Sequence, residues 1–118
     1  MRAMSFQHTA GLVRAGQKTV TRRTGWRDLQ PGTRLLAVER ARGVPADDRV
    51  VLATIEIQEV RREPLFRLYA QPYGAQELAA EGFPDMSPRA FVRWFLETHA
   101  CSSSRSDVTR IAFRKVGA

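Results

Sequence analysis

The chain of 118 residues is poor in the side chains that most often bind metals, with one cysteine, Cys101, and two histidines, His8 and His99. A single thiol forms no internal disulfide, and these three residues lack the ligand spacing of a zinc site. No apolar run approaches the roughly 20 residues that span a bilayer, and the N-terminal residues lack the apolar stretch of a secretory signal. We therefore expect one cytoplasmic domain over residues 1–118, without bound metal or membrane contact.

Glycine loops that cradle phosphates are also missing, since Gly11, Gly16 and Gly25 fit neither the P-loop nor the dinucleotide-binding spacing. We expect no cofactor. Lysine is scarce as well: 17 of the 19 basic residues are arginine, and the two lysines are Lys18 and Lys115. An ammonium group can lose its proton near neutral pH when it is desolvated or crowded by cations, whereas a guanidinium group keeps it. Lys18 is therefore the candidate for proton transfer.

Negative charge is scarce in the first two fifths of the chain. Residues 1–46 carry nine basic and two acidic side chains, whereas residues 47–118 carry ten of each sign, so the first segment supplies the whole net charge of +7. Such a segment attracts phosphate and makes nucleic acid the leading partner class. A solvated basic face is the alternative. An anionic membrane surface is less favoured, because no basic amphipathic helix with bulky apolar residues is present.

The order of predicted elements is strand, helix, strand, strand, long strand, two helices and strand. The clearest are the long strand at 50–60, the helix that begins at Ser87-Pro88 and runs to about His99, and the final strand at 108–116. Many short strands with few helices favour an α+β fold. We expect a small mixed β-barrel of five to six strands with two or three flanking helices.

The segment 16–23, with the sequence GQKTVTRR, places a lysine, two threonines and two arginines within eight positions. In a regular strand, Lys18 and Thr21 would lie on opposite faces, but a turn or bulge just after Gly16 would bring them together. A lysine of lowered pKa can act as the base toward a threonine hydroxyl. The expected cause of a lowered pKa is repulsion by three nearby cations, Arg14, Arg22 and Arg23. From spacing alone, an edge strand with charged ends is the simpler interpretation.

The pattern Gly16-x-Lys18-x-x-Thr21-x-Arg23 resembles the signature of the ASCH domain, a PUA-like β-barrel family associated with RNA. The commonest form of that signature has glutamate where this chain has Thr21. Threonine at this position resembles the branch of small bacterial ASCH proteins that hydrolyse acetylated cytidine with a lysine, a threonine and a distant glutamate. The resemblance extends through most of the chain, including the long strand, a Glu-Gly-Phe sequence at 81–83 and the final strand.

This resemblance implies a pocket lined by the signature segment. Lys18 matches the catalytic or phosphate-facing lysine, Thr21 the nucleophilic threonine, and Arg23 the terminal arginine. Glu81 is the candidate for the distant glutamate, although it is equally well explained as the end of a helix before a turn. Its rival is Glu63, for which a salt bridge to neighbouring arginines is the simpler explanation.

Two tryptophans are candidates for different roles. Trp26 follows the signature in a glycine-containing turn, where it would either stack on a base or cap the barrel. Trp94 has helical spacing with Phe91 and Phe95, which predicts a core residue.

Two functions follow as expectations. The first is binding of RNA or a nucleoside in a basic cleft, with a base stacked near Trp26. The residues expected to hold phosphates are Arg14, Arg22, Arg23 and Arg27. The second is an amidohydrolase that deacetylates an N-acetylated cytidine with Lys18, Thr21 and Glu81, while Arg23 stabilises developing negative charge. A ribonuclease is a further alternative, and so is a structural or protein-interaction domain, which scattered basic residues would favour.

Overall fold

Five strands and three α-helices form the framework of residues 1–117, the part of the chain that the computed structural model describes. In chain order they are β1 (Ala3–Ser5), α1 (Ala10–Arg14), β2 (Val20–Arg23), β3 (Arg34–Val38), β4 (Val51–Pro64), α2 (Tyr73–Glu81), α3 (Pro88–Thr98) and β5 (Asp107–Gly117). Short 3-10 helices at Ala46–Asp48 and Leu65–Tyr69 lie in the connections. None of the helices in residues 1–117 is long and apolar enough to cross a membrane.

The strands form one mixed sheet in the order β1-β3-β4-β5-β2. Strand β1 runs parallel to β3, and the other neighbouring pairs are antiparallel. The long strand β4 has 14 residues and continues to Pro64, several residues beyond its predicted end. Its pairing with β5 shifts register at two places, Thr54/Ile55 and Ile57/Glu59, and such bulges bend a strand and increase its twist. The predicted α+β class is confirmed.

The expected closure into a barrel is not observed in residues 1–117, where β1 and β2 are the two edges of an open sheet. These edges are nevertheless bridged by a side chain. Arg23 of β2 donates a hydrogen bond from Nη2 to the backbone oxygen of Ser5 on β1, over 2.6 Å. In a closed barrel, backbone hydrogen bonds would join these two strands. Here a single side chain joins them, and the gap between the strands leaves room beside β2 for a cavity.

Two apolar clusters hold the elements together. The first packs the sheet against α1 and includes Met4, Phe6, Val13, Leu35, Ile55, Ile57, Ile111 and Phe113. The second joins α2 and α3 to the connection after β4 and contains Leu65, Leu68, Leu78, Phe91, Val92, Phe95 and Val108. Helix α3 begins as predicted: the Ser87 hydroxyl accepts a hydrogen bond from the Ala90 amide at 3.1 Å, and Pro88 occupies the first turn.

The close packing of α2 against the preceding 3-10 helix yields a test of the fold. A Cβ on Gly74 would lie 1.9 Å from the backbone oxygen of Leu68, whereas a Cβ on Gly11 of α1 would have no neighbour within 4 Å. We expect Gly74→Ala to lower the free energy of unfolding by about 3 kcal/mol, because a backbone atom yields less easily than a side chain. Gly11→Ala is the control and should leave stability unchanged or raise it by up to about 1 kcal/mol. Urea denaturation measures both, and equal stability of the two variants would contradict this packing.

Candidate functional site

A cavity of about 200 Å³ lies beside edge strand β2. Its charged and hydroxyl-bearing lining comes mainly from the signature segment and from the end of α2, and comprises Lys18, Thr21, Arg22, Arg23, Glu81 and Ser5. Rings form most of the remaining wall, namely Phe6, His8, Phe83, Phe91, Trp94, Phe95 and His99. The structure therefore brings the sequence-predicted Lys18, Thr21, Arg23 and Glu81 to one aromatic-walled cavity.

Lys18 reaches this cavity because the chain turns before β2 begins at Val20. Gly16 has a φ of +75°, which glycine adopts readily. The amides of Gln17 and Lys18 both donate to the backbone oxygen of Leu12, at 2.8 and 3.3 Å. Strand alternation therefore does not separate Lys18 from Thr21, and of the alternatives left open by the sequence the structure has the turn at Gly16.

A buried ion pair joins Lys18 to Glu81. The Lys18 ammonium lies 3.0 Å from Oε1 of Glu81 and also donates to the backbone oxygen of that residue; both side chains are 4 % exposed. Burial lowers the pKa of Lys18 below its ordinary 10.5; the attraction of Glu81 opposes this shift, and Arg23 and Arg22 add to it. The predicted direction is confirmed, but burial exceeds cationic repulsion as its cause.

The end of α2 orients Glu81. Gly82 follows in the left-handed region with φ +99°, and the Phe83 amide returns to the backbone oxygen of Leu78 at 2.8 Å. This turn also brings the Phe83 ring to 5.8 Å from the Lys18 ammonium. The sequence at 81–83 is thus a helix end and a part of the cavity wall at once, so the two interpretations drawn from the sequence are compatible.

Thr21 and Arg23 lie on the same face of β2, because side chains two apart in a strand point the same way. The Arg23 Nε atom donates to the buried Thr21 hydroxyl oxygen at 3.1 Å, and the guanidinium lies 4.9 Å from the centre of the Phe6 ring. Burial lowers the pKa of Arg23 to about 10, against the attraction of Glu81. At neutral pH Arg23 therefore places a positive charge beside the Thr21 oxygen.

Arg22 borders the same cavity, but its guanidinium is directed toward α2 and β4 and is held by three carboxylates. Its Nη1 lies 3.2 Å from Glu81 Oε2, while Nη2 lies 3.1 Å from Glu63 Oε2 and 2.5 Å from Glu77 Oε1. Burial acts to lower the pKa of Arg22, but the three carboxylates outweigh it and raise the pKa. Contrary to the expectation that Arg22 holds a phosphate, its charge is compensated by protein groups.

Sequence reasoning missed most of this acidic network. Glu77 also accepts two hydrogen bonds from Arg110, at 2.8 and 3.0 Å, and Tyr73 donates to Glu63. Glu63 itself accepts from Arg61 at 2.9 Å and does not line the cavity, in line with its salt-bridge interpretation. These partners come from α2, β4 and β5, so only the tertiary fold identifies them.

Trp94 is half-buried and lines the cavity as well as packing on the second apolar cluster. His8 meets its ring edge-on at 5.3 Å, and His99 does so at 5.7 Å. The His99 ring also stacks on Phe95 at 3.9 Å. Burial lowers the pKa of His99 below its ordinary 6.5 and so favours the neutral ring, although the hydrogen bond to the Phe95 backbone opposes the shift. Aromatic spacing predicted the packing role of Trp94 but not the two histidines.

The remaining sequence candidates lie outside the cavity. Arg14 and Arg27 are exposed, and neither lines it. Trp26 packs on the first apolar cluster, and its ring lies 4.3 Å from the Arg2 guanidinium. In residues 1–117, no group of three or more histidine, cysteine, aspartate or glutamate side chains is arranged to hold a metal ion.

Comparison with known proteins adds information on the fold. No family model matches the sequence, and no curated protein matches it either. Among solved structures, the chain is similar to the crystal structure of protein EF3133 from Enterococcus faecalis, which is described as DUF984. The TM-score is 0.66 at 17% sequence identity, over 98% of this chain and 80% of that one. At this identity the likeness shows a shared small α+β fold alone.

The carboxylates around Arg22 predict loss of stability in acid. Burial acts to raise the pKa of Glu77, but hydrogen bonds from Arg110 and Arg22 outweigh it and lower the pKa to about 2, against an ordinary 4.5. Such a group stabilises the fold fully above pH 4.5 and loses that contribution as the pH falls toward 2. We expect the melting temperature to fall across this range. The fall should be smaller in Glu77→Gln, which is also less stable at pH 7.

The matched control is Glu97→Gln, because Glu97 is exposed on α3 and forms no ion pair within residues 1–117. Its melting temperature should follow the unchanged protein at every pH. Thermal unfolding monitored by circular dichroism between pH 7 and pH 2 makes the comparison. An identical pH dependence for Glu77→Gln and the unchanged protein would contradict the role of Glu77.

Proposed function

We propose that the chain is an ASCH-type amidohydrolase, which binds the base of a cytidine in the cavity and removes an acetyl group from its exocyclic amine. The observation that carries this proposal is the meeting of Lys18, Thr21 and Glu81 in one aromatic-walled cavity, although Glu81 is 60 residues from Thr21 in the sequence. The signature at 16–23 supports the same activity through its resemblance to the ASCH family.

The volume and lining of the cavity suit a single-ring group. A volume of about 200 Å³ is below the roughly 300–1,000 Å³ usual for drug-sized ligands. Rings such as Phe83 and Trp94 provide surfaces on which a base stacks, an interaction that contributes roughly 1–3 kcal/mol per base. An acetyl group on that base would then face the polar residues contributed by β2 and α2.

In the first half of the reaction, neutral Lys18 removes the proton of the Thr21 hydroxyl, and the Thr21 oxygen attacks the acetyl carbonyl carbon. Arg23, which donates to that hydroxyl oxygen, stabilises the negative charge that develops there. The carbon–nitrogen bond then breaks. The proton held by Lys18 passes to the leaving exocyclic nitrogen with the help of Glu81, which contacts the ammonium at 3.0 Å, and cytidine departs.

In the second half, water attacks the acetyl ester formed on Thr21. Lys18 takes a proton from that water, the ester bond breaks, and the Thr21 oxygen recovers a proton from Lys18. The net reaction consumes one water and yields cytidine and acetic acid, which ionises to acetate and a proton at neutral pH. The hydrogen bond between Lys18 and Glu81, which becomes an ion pair whenever Lys18 carries the proton, and the hydrogen bond from Arg23 keep the participating groups in position through both halves.

Binding of a nucleoside or RNA without chemistry is the second candidate. The observation that favours it is the Lys18–Glu81 ion pair. A carboxylate 3.0 Å from the Lys18 ammonium stabilises the charged form of that lysine. In that form Lys18 would serve as a hydrogen-bond donor to a base or phosphate. Retained cytidine binding together with absent hydrolysis would identify this candidate.

The test of hydrolysis is incubation of the purified protein with cytidine acetylated at its exocyclic amine, followed by chromatographic detection of cytidine. We expect Thr21→Val to abolish turnover, because it removes the nucleophile while keeping the shape of the side chain. We expect Lys18→Met to lower kcat by about 10²–10⁴-fold, the usual contribution of a general base.

Matched controls exist for both variants. Thr19→Val alters the exposed neighbouring threonine, and Lys115→Met removes the other lysine of the chain, which lies on the surface. Both controls should retain full activity. Release of no cytidine by the unchanged protein, or equal loss in Thr21→Val and Thr19→Val, would exclude the proposed hydrolysis.

The pH dependence follows from the state in which Lys18 acts. Only neutral Lys18 accepts the Thr21 proton, so kcat/KM should rise with pH and level off above the pKa of Lys18, which burial holds below 10.5. The rising limb should disappear from the residual activity of Lys18→Met. A profile without this limb in the unchanged protein would contradict the role of Lys18 as the base.

A further inference from the structure

A second and more open depression, of about 530 Å³, adjoins the cavity and shares Arg23 and His99 with it. We call it the arginine cleft. Its other lining residues are Arg2, Thr24, Gly25, Trp26 and Arg42. The three arginines come from the residue before β1, the end of β2 and the connection after β3, so the fold gathers positive charge from three separate segments.

The positive charge of the arginine cleft is poorly compensated. No carboxylate is among its lining residues. Asp28 lies 3.8 Å from Arg2, but their side chains are 79% and 57% exposed, so solvent screens this pair. Within residues 1–117, the exposed Arg42 side chain forms no ion pair and donates no hydrogen bond to another protein group. This differs from the buried Arg22, whose charge three carboxylates balance.

Arg23 connects the cleft to the cavity. Its Nε and Nη2 atoms donate to Thr21 and to the Ser5 backbone, while Nη1 has no acceptor within residues 1–117. The Arg23 guanidinium therefore borders both spaces and keeps Nη1 N–H groups that are not used within residues 1–117. A planar guanidinium suits phosphate oxygens because it offers several N–H groups in a fixed fork.

Trp26 adds a structural constraint at the same place. Its φ of +59° lies in the left-handed region, which is unusual for a bulky residue. In this conformation its ring lies under the Arg2 guanidinium, at 4.3 Å from the ring centroid. The Trp26 ring thus contacts Arg2 at the cleft.

We propose that the arginine cleft is a phosphate subsite, so that the preferred ligand is a phosphate ester of the nucleoside and not the free nucleoside. This inference rests on the proposed function, because that function places the base in the adjoining cavity. The sugar then lies near Arg23 and His99, where the two spaces meet, and the phosphate contacts Arg2 and Arg42. Both a free mononucleotide and a nucleotide within RNA would present such a phosphate to the arginine cleft.

The experiment is isothermal titration calorimetry of the protein with cytidine, cytidine monophosphate and a short single-stranded RNA, at two salt concentrations. We expect the monophosphate to bind at least about tenfold more tightly than cytidine, because charge-assisted hydrogen bonds to phosphate are added. This advantage should fall to about threefold or less in Arg42→Gln and in Arg2→Gln. Arg93→Gln is the matched control, because Arg93 is exposed on α3 and lines neither space.

The salt dependence distinguishes the two sources of phosphate. Each single-strand phosphate contact contributes a slope of about −0.7 in log affinity against log salt concentration. A steeper slope for the RNA than for the monophosphate indicates a phosphate within a longer strand, and equal slopes indicate a mononucleotide. Either result supports a phosphate subsite.

Equal binding of cytidine and its monophosphate would overturn the inference. An unchanged monophosphate advantage in both Arg42→Gln and Arg2→Gln would overturn it as well. Titration with ribose 5-phosphate, which lacks a base, tests the cleft separately from the hydrolase proposal. Phosphate-dependent binding without deacetylation would refute the hydrolase and support the cleft, whereas deacetylation with equal kcat/KM for nucleoside and nucleotide would refute the cleft alone.

Discussion

The Glu81 carboxylate, shared between the buried cations Lys18 and Arg22, is the interaction on which the candidate site depends. One carboxylate oxygen contacts the Lys18 ammonium and the other contacts the Arg22 guanidinium, at 3.0 and 3.2 Å. A buried charge without a partner is costly, so each of these three residues stabilises the placement of the other two. This arrangement fixes the end of α2 against the signature segment, and the cavity lies between them.

An incomplete sheet provides the space for that cavity. In residues 1–117 the strands β1 and β2 remain edges, and the Arg23 side chain bridges them through the Ser5 backbone oxygen. Because the bridge is a side chain, its remaining donor atoms face the opening, which backbone groups in a ladder would not do. The same guanidinium holds the Thr21 hydroxyl at 3.1 Å and borders the arginine cleft. A single residue therefore joins the two edges and the two spaces.

Local signals predicted those parts of the molecule that neighbouring residues determine. The turn after Gly16, the start of α3 at Ser87-Pro88 and the end of α2 before Gly82 each depend on a few adjacent residues, and all three are observed. The open sheet was not predicted, because strand order depends on contacts between distant segments. The ion pairs of Glu77 were not predicted for the same reason. Its partners lie on β2 and β5, and no neighbouring residue in the sequence indicates an ion pair.

The two adjacent arginines of β2 show why composition alone misassigns charge. Alternation along the strand directs Arg22 toward the acidic residues of α2 and β4 and directs Arg23 toward Thr21. The excess of positive charge in residues 1–46 is therefore partly cancelled in space, because Lys18 and Arg22 take their counter-charges from the balanced remainder of the chain. The arginines left without such partners set the positive field near the cavity. The sequence alone does not identify them, because this requires knowing which way the side chains of β2 are directed.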